Sequence, residues 1–478
     1  MRILILLLIP LIGGISVFFL SGKRRSVTVL AVSGFTALFS LLLVLRGHET
    51  LTLLRLSERL SLSFALDGLA KLFILLISVI WVFVGLYSFD YMEHEEKQSR
   101  FFGFFLLTLF SLLALALAAN VETAYMCFEI MTLVSMPLVL QDALAESRAA
   151  ALQYLGFSAL GASLALLGFF LLMPYAKSTV FVPGGVMFSA GEEQRLIAAF
   201  FLMALGFGAK AGLMPLQVWL PVAHPVAPAP ASAVLSGVVT KGGVVAVIRV
   251  TLYLFGAELV QGTWAQKLLL TLAVLTVFTG SMLAYKEKLL KRRLAYSTVS
   301  NVSYVLFGVF LLQPAALTGA LLQVVFHAFA KCALFLGAGA LMHSLHESTA
   351  DGFFGCGKRM PLTLAAFAMA SLSLVGIPPF GGFIAKWYLA IGALKETGGF
   401  GVVGVATLLV SALLTAFYLF PIVTKGYFPG KEFEAGEKTE VGRNMLLAVF
   451  VFAAVTLLLG AFPAGLIRSF AALAESLL

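Results

Sequence analysis

The sequence predicts an all-α polytopic membrane protein with about fourteen transmembrane helices. Of its 478 residues, 61% are hydrophobic and only 12% are charged, and the mean hydropathy is +1.03. Soluble globular chains are about half apolar and roughly a quarter charged, so this composition is typical of a chain dissolved in lipid. Each transmembrane helix needs about 20 apolar residues. The apolar runs lie near 2–20, 27–46, 68–92, 101–119, 121–140, 149–174, 196–222, 226–255, 265–284, 294–312, 315–343, 361–394, 400–427 and 445–472.

The basic residues indicate how the spans are oriented, because cytoplasmic loops of membrane proteins are enriched in Lys and Arg. The loops after the odd-numbered spans hold the larger set: Lys23, Arg24, Arg25, Lys97, Arg100, Arg148, Lys286, Lys288, Lys291, Arg292, Arg293, Lys358, Arg359, Lys425, Lys431, Lys438 and Arg443. The opposite side holds Arg2, Arg46, Arg55, Arg59, Lys177, Arg195, Lys267, Lys395 and Arg468. Lys71 and Arg249 lie near span ends and are predicted to be interfacial anchors. We therefore expect a multi-pass protein of the cell (inner or plasma) membrane with both termini outside.

The chain carries no readable metal or cofactor motif. Cys127, Cys332 and Cys356 form no CxxC pair, so neither a zinc site nor an iron–sulfur cluster is predicted. There is also no nucleotide fingerprint and no pair of haem histidines. The net charge of +9 comes without a basic stripe interleaved with aromatic residues, so no nucleic-acid partner is expected.

Two predicted spans are interrupted by Gly and Pro. The seventh contains LGFGAKAGLMP at 205–215, with Lys210, and the twelfth contains VGIPPFGGFIAK at 375–386, with Lys386. The two spans are five apart, and an odd separation reverses the direction of the chain, which predicts an inverted repeat. Paired interrupted helices are the best sequence indication of a transport site at mid-membrane. Irregular backbone at that depth is tolerated only where protein or water provides hydrogen-bond partners for its N–H and C=O groups.

Several ionisable side chains lie within the predicted spans, where each charge costs about 2.5–3.5 kcal/mol on insertion scales. The set comprises Glu129, Lys210, Lys241, His327, Lys331 and Lys386. A single buried lysine or histidine is often structural, and for Lys331 a helix-locking role and a relay role both remain open. Six such groups in separate contexts favour ion transport.

The chemistry of these groups suits proton transfer. A lysine in a dry site releases its proton near neutral pH, and a nearby carboxylate makes it retain the proton. A Lys–Glu pair whose separation changes is therefore a proton switch, and Glu129 with Lys210 is the natural candidate. Histidine titrates near neutrality and can relay protons between lysines. His327 and Lys331 are four residues apart, so they share one helix face.

Four segments resemble motifs of the proton-conducting, antiporter-like membrane subunits of complex I, Mrp-type sodium/proton antiporters and energy-converting membrane-bound hydrogenases. They are WLPVAHPVAPAPASAVLSGVVTK at 219–241, KRRLAYST at 291–298, FHAFAKCALF at 326–335 and GIPPFGGF at 376–383. The similarity runs from about the third span to the thirteenth. The 219–241 segment is most similar to the hydrogenase and Mrp-like branches. A tyrosine that many members carry shortly after the eighth-helix lysine is replaced here by Val244 and Val245.

The resemblance implies an architecture and a role for each ionisable residue. Helices 1–3 would occupy 1–100, one inverted repeat of helices 4–8 would occupy 101–255, a second of helices 9–13 would occupy 256–427, and helix 14 would lie in 428–478. Glu129 and Lys210 match the fifth-helix glutamate and the seventh-helix lysine that pairs with it. Lys241 matches the central eighth-helix lysine and His327 the eleventh-helix relay residue. Lys386 matches the twelfth-helix residue that passes the proton outward.

We therefore expect a proton-translocating subunit of a larger membrane complex, coupled to redox chemistry or sodium/proton exchange elsewhere in it. The expected partners are other antiporter-like and small membrane subunits, peripheral redox subunits and lipids. Electrons of any oxidoreductase reaction would travel in those other subunits, with no cofactor in this chain. Two alternatives remain: a stand-alone secondary transporter for an organic solute, and a scaffold subunit that no longer conducts.

Overall fold

The computed structural model describes residues 1–55, 57, 60–93, 95–142, 144–189, 191–396, 399–430 and 437–478. Arg59 and Lys431, both assigned to loops from the sequence, lie outside these described residues. Within the described chain, ten helical segments are long and apolar enough to cross a membrane. Arg2–Val17 and Pro361–Val375 are shorter apolar helices. The predicted helical membrane architecture is thus present.

The N-terminal part consists of three helices and a small β-hairpin. In order they are α1 (Arg2–Val17), α2 (Gly22–Val44), β1 (Glu49–Arg55), β2 (Ser61–Leu66) and α3 (Gly68–Tyr91). The alternation of apolar and polar residues over 50–65 predicts a hairpin, because side chains of a strand point to its two faces in turn. The structure confirms it: the two strands pair antiparallel, with Glu49 opposite Leu66.

The next part contains the first helix break and two π-helical segments. Its helices are α4 (Gln98–Leu117), α5 (Val121–Val139), α6 (Ala145–Leu172), α7 (Glu193–Ala211), α8 (Trp219–Val226), α9 (Ala229–Val234), α10 (Thr240–Ile248) and α11 (Ala257–Val260). Only Asn120 separates the apolar runs 101–119 and 121–140, which predicts a tight turn. The turn is present, and Asn120 caps α5 by accepting a 3.1 Å hydrogen bond from the amide of Thr123. The π-helical segments Leu235–Val239 and Arg249–Phe255 flank α10. Such wide turns are frequent at functional sites.

The C-terminal part surrounds one long buried helix. Its helices are α12 (Trp264–Lys286), α13 (Leu290–Phe310), α14 (Pro314–Leu345), α15 (Cys356–Arg359), α16 (Pro361–Val375), α17 (Gly381–Ala393), α18 (Phe400–Tyr427), α19 (Arg443–Ala461) and α20 (Ala464–Leu477). The apolar stretch of α14 is buried throughout, and α14 packs against α13, α16, α17 and α19. The predicted last span over 445–472 is wrong in extent. Proline interrupts helical hydrogen bonding, and the helix is interrupted at Pro463, between α19 and α20.

The two predicted helix breaks are built in the same way. α7 ends at Gly212 and α16 ends at Gly376, both with a positive φ (81° and 91°) that glycine adopts without strain. In each case the amide of the residue after the glycine donates to the carbonyl five residues earlier, at 2.9 Å in α7 and 3.1 Å in α16. This is the hydrogen bond of a Schellman helix end. The breaks are therefore ordered helix termini and not locally unfolded turns.

Arg249 is a buried ion-pair partner and not the predicted interfacial anchor. Only 2% of its side chain is exposed, and its guanidinium forms a two-point contact with the carboxylate of Asp67. The same guanidinium donates to the carbonyl of Ala116 at 3.3 Å and lies 4.5 Å from the ring centroid of Tyr253. The prediction for Arg249 was wrong because hydropathy shows where a span ends but does not show that the start of another helix supplies a carboxylate there. The pair joins the start of α3 to the second π-helical segment.

The Asp67–Arg249 pair predicts a stability difference that a substitution can measure. Asp67→Asn keeps the oxygen that caps α3 but leaves a buried guanidinium without a countercharge, which costs about 3–5 kcal/mol. We expect a clearly lower thermal unfolding midpoint in detergent. Asp351→Asn is the matched control, because the Asp351–Lys425 pair is exposed and contributes about 0–1 kcal/mol. Equal shifts for the two variants would contradict the role given to Arg249.

Helices α6 and α7 approach closely at two glycines. A Cβ atom at Gly161 would lie 2.6 Å from the backbone oxygen of Gly206, and one at Gly206 would lie 2.4 Å from the oxygen of Gly161. Small residues allow such contact between membrane helices. The contact matters for the site because α6 and α7 both contribute side chains to it.

Gly161→Ala should therefore destabilise the protein, since the added methyl group meets backbone that cannot move independently. We expect a loss of about 1–3 kcal/mol, as for other overpacked positions, seen as a lower unfolding midpoint. Gly156→Ala, on the same helix with no atom within 4 Å of the added carbon, should leave stability unchanged or slightly improved. A neutral Gly161→Ala variant would argue against the close contact.

Candidate functional site

Lys210 lies at the end of α7 in a cage of hydroxyl groups. Its side chain is fully buried, and Nζ donates to Oγ1 of Thr132 at 2.8 Å, to the hydroxyl of Tyr154 at 2.8 Å and to Oγ of Ser158 at 3.0 Å. Nζ also lies 4.1 Å from the centroid of the Tyr154 ring, where cation–π attraction applies. Helices α5 and α6 thus provide three neutral acceptors that contact the ammonium group.

Glu129, the predicted partner of Lys210, is on the outward face of α5. It is partly exposed and shares that face with Met126, Ile130 and Leu133, which are exposed to 41%, 37% and 59%. The carboxylate and the ammonium interact electrostatically, but among the described residues they form no ion pair within 4.0 Å. The structure therefore holds the pair in a separated arrangement.

Lys241 and His327 form a direct contact in the middle of the protein. The distance between Nζ of Lys241 and Nδ1 of His327 is 2.6 Å, and both side chains are buried, with exposures of 1% and 2%. Nζ also donates to the carbonyl of Ser236 at 2.8 Å, within the π-helical segment that precedes α10. Two positive charges this close in a buried site repel strongly. The pair can therefore hold one excess proton, shared between amine and imidazole.

Lys331 and Lys386 bind backbone carbonyl groups. Nζ of Lys331 donates to the carbonyl of Leu294 on α13 at 2.9 Å. Nζ of Lys386 donates to the carbonyls of Leu374 and Val375 at 2.8 and 2.7 Å, so a lysine of α17 caps the end of α16. The lysines of the two breaks are thus placed differently, because Lys210 precedes its break and Lys386 follows its own. A cation at a helix C-terminus is favoured by the helix dipole.

His327 and the end of α16 border a narrow gap that has no room for a water molecule. Gln323, His327, Ser373 and Leu374 are among the residues that line it. Oε1 of Gln323, Nε2 of His327 and Oγ of Ser373 are buried there without a hydrogen-bond partner in the described protein. Buried polar atoms normally have partners, so three unpartnered polar atoms beside one gap make it a polar region of the protein interior. Leu374 lines this gap, and its carbonyl is one of the two that Lys386 binds.

Some polar residues near the buried lysines were not predicted from the sequence. The hydroxyls of Thr132, Tyr154 and Ser158 were missed because hydroxyl residues are common in membrane helices and carry no distinctive spacing. Lys291, assigned to a loop, is 6% exposed and donates to the carbonyl of Ala227 at 2.7 Å. Lys291 begins the motif at 291–298, which overlaps the apolar run 294–312, and this overlap was the sequence signal that the residue belongs to a helix.

The Lys210 cage predicts the result of removing one hydroxyl group. Tyr154→Phe preserves the ring over the ammonium but removes its hydrogen bond to Nζ and its 2.6 Å contact with Ser135. A hydrogen bond to a charged group contributes about 1.5–3 kcal/mol, so the unfolding midpoint should fall. Tyr285→Phe, at a 50% exposed tyrosine, is the control. Indistinguishable midpoints for the two variants would contradict the cage.

Comparisons with known proteins agree on one family. Residues 118–415 match the family described as NADH:quinone oxidoreductase/Mrp antiporter, TM, and residues 56–102 match the N-terminus of NADH-ubiquinone oxidoreductase (complex I) chain 5. The chain is 33% identical over 426 residues to Hydrogenase-4 component B of Escherichia coli (strain K12), covering 84% of this chain and 62% of that protein's length. It is 27% identical to a Na(+)/H(+) antiporter subunit of Bacillus subtilis (strain 168), covering 95% and 92%.

Solved structures share the fold. A chain of the Mrp complex from Dietzia sp. DQ12-45-1b superposes with a TM-score of 0.87 at 22% identity, covering 99% of this chain and 97% of that one. A chain of respiratory complex I from Thermus thermophilus with bound NADH superposes with a TM-score of 0.83 at 24% identity, covering both chains completely. The family match over residues 118–415, which is more than half of the chain, makes the chain a member of the NADH:quinone oxidoreductase/Mrp antiporter family of membrane proteins.

Proposed function

We propose that this chain translocates protons as an antiporter-like subunit of a multi-subunit membrane complex. The observation that carries the proposal is the 2.6 Å contact between Lys241 and His327. An amine and an imidazole at this distance, buried and without a contacting carboxylate among the described residues, exchange a proton readily, because neither charge is neutralised by an ion pair there. The predicted relay role of both residues is in keeping with this geometry.

The proposed path begins at the Glu129–Lys210 switch. In the separated arrangement Lys210 is held only by neutral hydroxyl groups, so an approaching or departing carboxylate changes its proton affinity. Helix α10 lies directly against the end of α7, where a Cβ at Gly243 would meet the amide of Ala211 at 2.5 Å. Because α7 and α10 pack closely, Lys210 and Lys241 lie on neighbouring helices. The proton then passes from Lys210 to Lys241.

The second half of the path leads from His327 to Lys386. Gln323 and Ser373 line the same gap as His327 and Leu374, and their unpartnered polar atoms offer hydrogen-bonding positions next to the helix end that Lys386 binds. Lys331, four residues from His327 on α14, adds a further titratable group on the same helix face. Proton release then occurs from Lys386, which is only partly buried.

We further propose the full fourteen-helix arrangement with two inverted five-helix repeats, over 101–255 and 256–427. The matching Schellman ends of α7 and α16 support it, since corresponding helices of two repeats should break alike. The excess of cations in loops after odd-numbered spans supports a cytoplasmic position for those loops and external termini in the inner or plasma membrane.

The partners of the chain follow from its surface and its relatives. A partly exposed Glu129 among exposed apolar residues is unfavourable against lipid and favours a neighbouring membrane subunit at this face of α5. The related Hydrogenase-4 component and the related antiporter subunit are named as parts of larger assemblies, in keeping with a hydrogenase or Mrp-like parent complex. Peripheral redox subunits would carry the electron-transfer cofactors, and sodium/proton exchange is the alternative coupling.

Replacing Lys241 with Met tests the proposed function. The substitution keeps a long unbranched side chain but removes the proton-binding amine. We expect proton translocation by the purified complex in proteoliposomes to fall by about a hundredfold or more, as when a positioned proton-transfer group is lost, while the chain still co-purifies with its partner subunits.

Lys267→Met is the matched control, because Lys267 is an exposed lysine on α12 and its loss should leave translocation unchanged. If the Lys241→Met complex assembles and translocates protons at the wild-type rate, the proposed function is wrong.

A further inference from the structure

His224 is a buried histidine that the relay described above does not use. It lies in the last turn of α8, is fully buried, and stacks on the ring of Phe335 with centroids 4.7 Å apart and an interplanar angle of 27°. Both ring nitrogens lack a hydrogen-bond partner in the described protein. Buried polar atoms normally have hydrogen-bond partners, so packing alone does not explain a histidine at this position.

Two buried lysines flank His224. The ammonium of Lys291 is bound to the carbonyl of Ala227, three residues beyond the histidine. The ammonium of Lys331 lies 6.0 Å from the centroid of the same Phe335 ring on which His224 stacks. Both ammonium groups interact electrostatically with the imidazole. His224 therefore lies between two titratable groups, one on α13 and one on α14.

The outer end of this cluster interacts electrostatically with two surface carboxylates. Lys291 is in the first turn of α13, directly after the lysine-rich loop, and it interacts electrostatically with Glu95 and Asp142. Both acidic residues are exposed, and they belong to the loops after α3 and α5. Carboxylates at a protein surface raise the local concentration of protons.

The inner end of the cluster is the Lys241–His327 pair. Lys331 follows His327 by one helical turn, and a turn of α-helix rises about 5.4 Å. Phe335 follows Lys331 by another turn, so the stripe His327, Lys331, Phe335 runs along α14 from the centre of the protein toward the lysine-rich face. The side chains thus form a series from that face to the central pair, separate from Lys210.

We propose that Lys291, His224 and Lys331 form a second proton-uptake branch, which leads from Glu95 and Asp142 at the lysine-rich face to the Lys241–His327 pair. The inference rests on the proposed function, because it needs the central pair to accept protons. It also gives Lys331 a relay role.

The proton balance of the branch is simple. Lys291 releases a proton to one ring nitrogen of His224, and the imidazolium releases the proton of its other nitrogen to Lys331. Lys291 is reprotonated from the surface, and Lys331 passes its proton to the central pair. One proton moves inward in each cycle, no electrons are transferred, and the imidazole regains its first tautomer by ring rotation or proton return. Water can bridge the gaps, since hydrogen bonds through water conserve most of the interaction.

His224→Phe is the decisive variant, because phenylalanine preserves the stack on Phe335 and removes both ring nitrogens. In the reconstituted complex we expect proton translocation to slow by about tenfold or more. The solvent deuterium isotope effect on translocation should rise, because uptake becomes rate-limiting. A purely packing role would leave both measurements at the wild-type values, and that result would overturn the branch.

Lys291→Gln provides an independent second variant, with Lys286→Gln as its control at an exposed lysine of α12. Groups that act in series are not additive, so the double variant His224→Phe/Lys291→Gln should be no slower than the slower single variant. If His224→Phe fails to assemble, Lys291→Gln decides, and a wild-type rate in it overturns the branch. Lys241→Met separates the two proposals: if it abolishes translocation while His224→Phe and Lys291→Gln do not slow it, only the branch is wrong.

Discussion

The structure depends on one constraint: each ammonium group inside the apolar protein must be held by hydrogen bonds to neutral groups. Lys241, Lys331 and Lys386 bind backbone carbonyl oxygens, and Lys210 binds hydroxyl groups. Neutral acceptors compensate part of the lost hydration of a cation without a countercharge. A lysine held in this way keeps its place whether or not it is charged, and that is the property a proton carrier needs.

Helix irregularities supply the acceptors of Lys241 and Lys386. In a regular helix every carbonyl already accepts a hydrogen bond within the helix, so a buried lysine has to share that carbonyl, as Lys331 shares the carbonyl of Leu294 on α13. The end of α16 leaves the carbonyls of Leu374 and Val375 for Lys386, and the π-helical segment before α10 makes the carbonyl of Ser236 available to Lys241. The breaks and wide turns are thus part of the site itself. Arg249 shows the contrasting solution, because a carboxylate contact holds its charge permanently.

Much of this organisation could be read from the sequence. The apolar runs located the helices, and the Gly and Pro residues near Lys210 and Lys386 located both breaks, since those residues end helices by their own backbone geometry. The β-hairpin followed from alternation. The division of the predicted span 445–472 into α19 and α20 did not follow from the sequence, because an average of hydropathy over many residues does not detect the single interrupting Pro463. His224 was read only as part of a motif, because nothing in the linear sequence places it between two lysines.

What the sequence determined by itself was local: where the chain is apolar, where helices stop, and which ionisable groups lie inside them. What only the tertiary structure decided was which groups meet. Lys241 and His327 are 86 residues apart, and the Lys210 cage draws on two other helices, so no spacing rule could predict either contact. The outward position of Glu129 likewise follows from how α5 packs against its neighbours. Helix propensity and hydropathy act over a few turns of chain, whereas proton transfer needs contacts that arise only when distant helices pack.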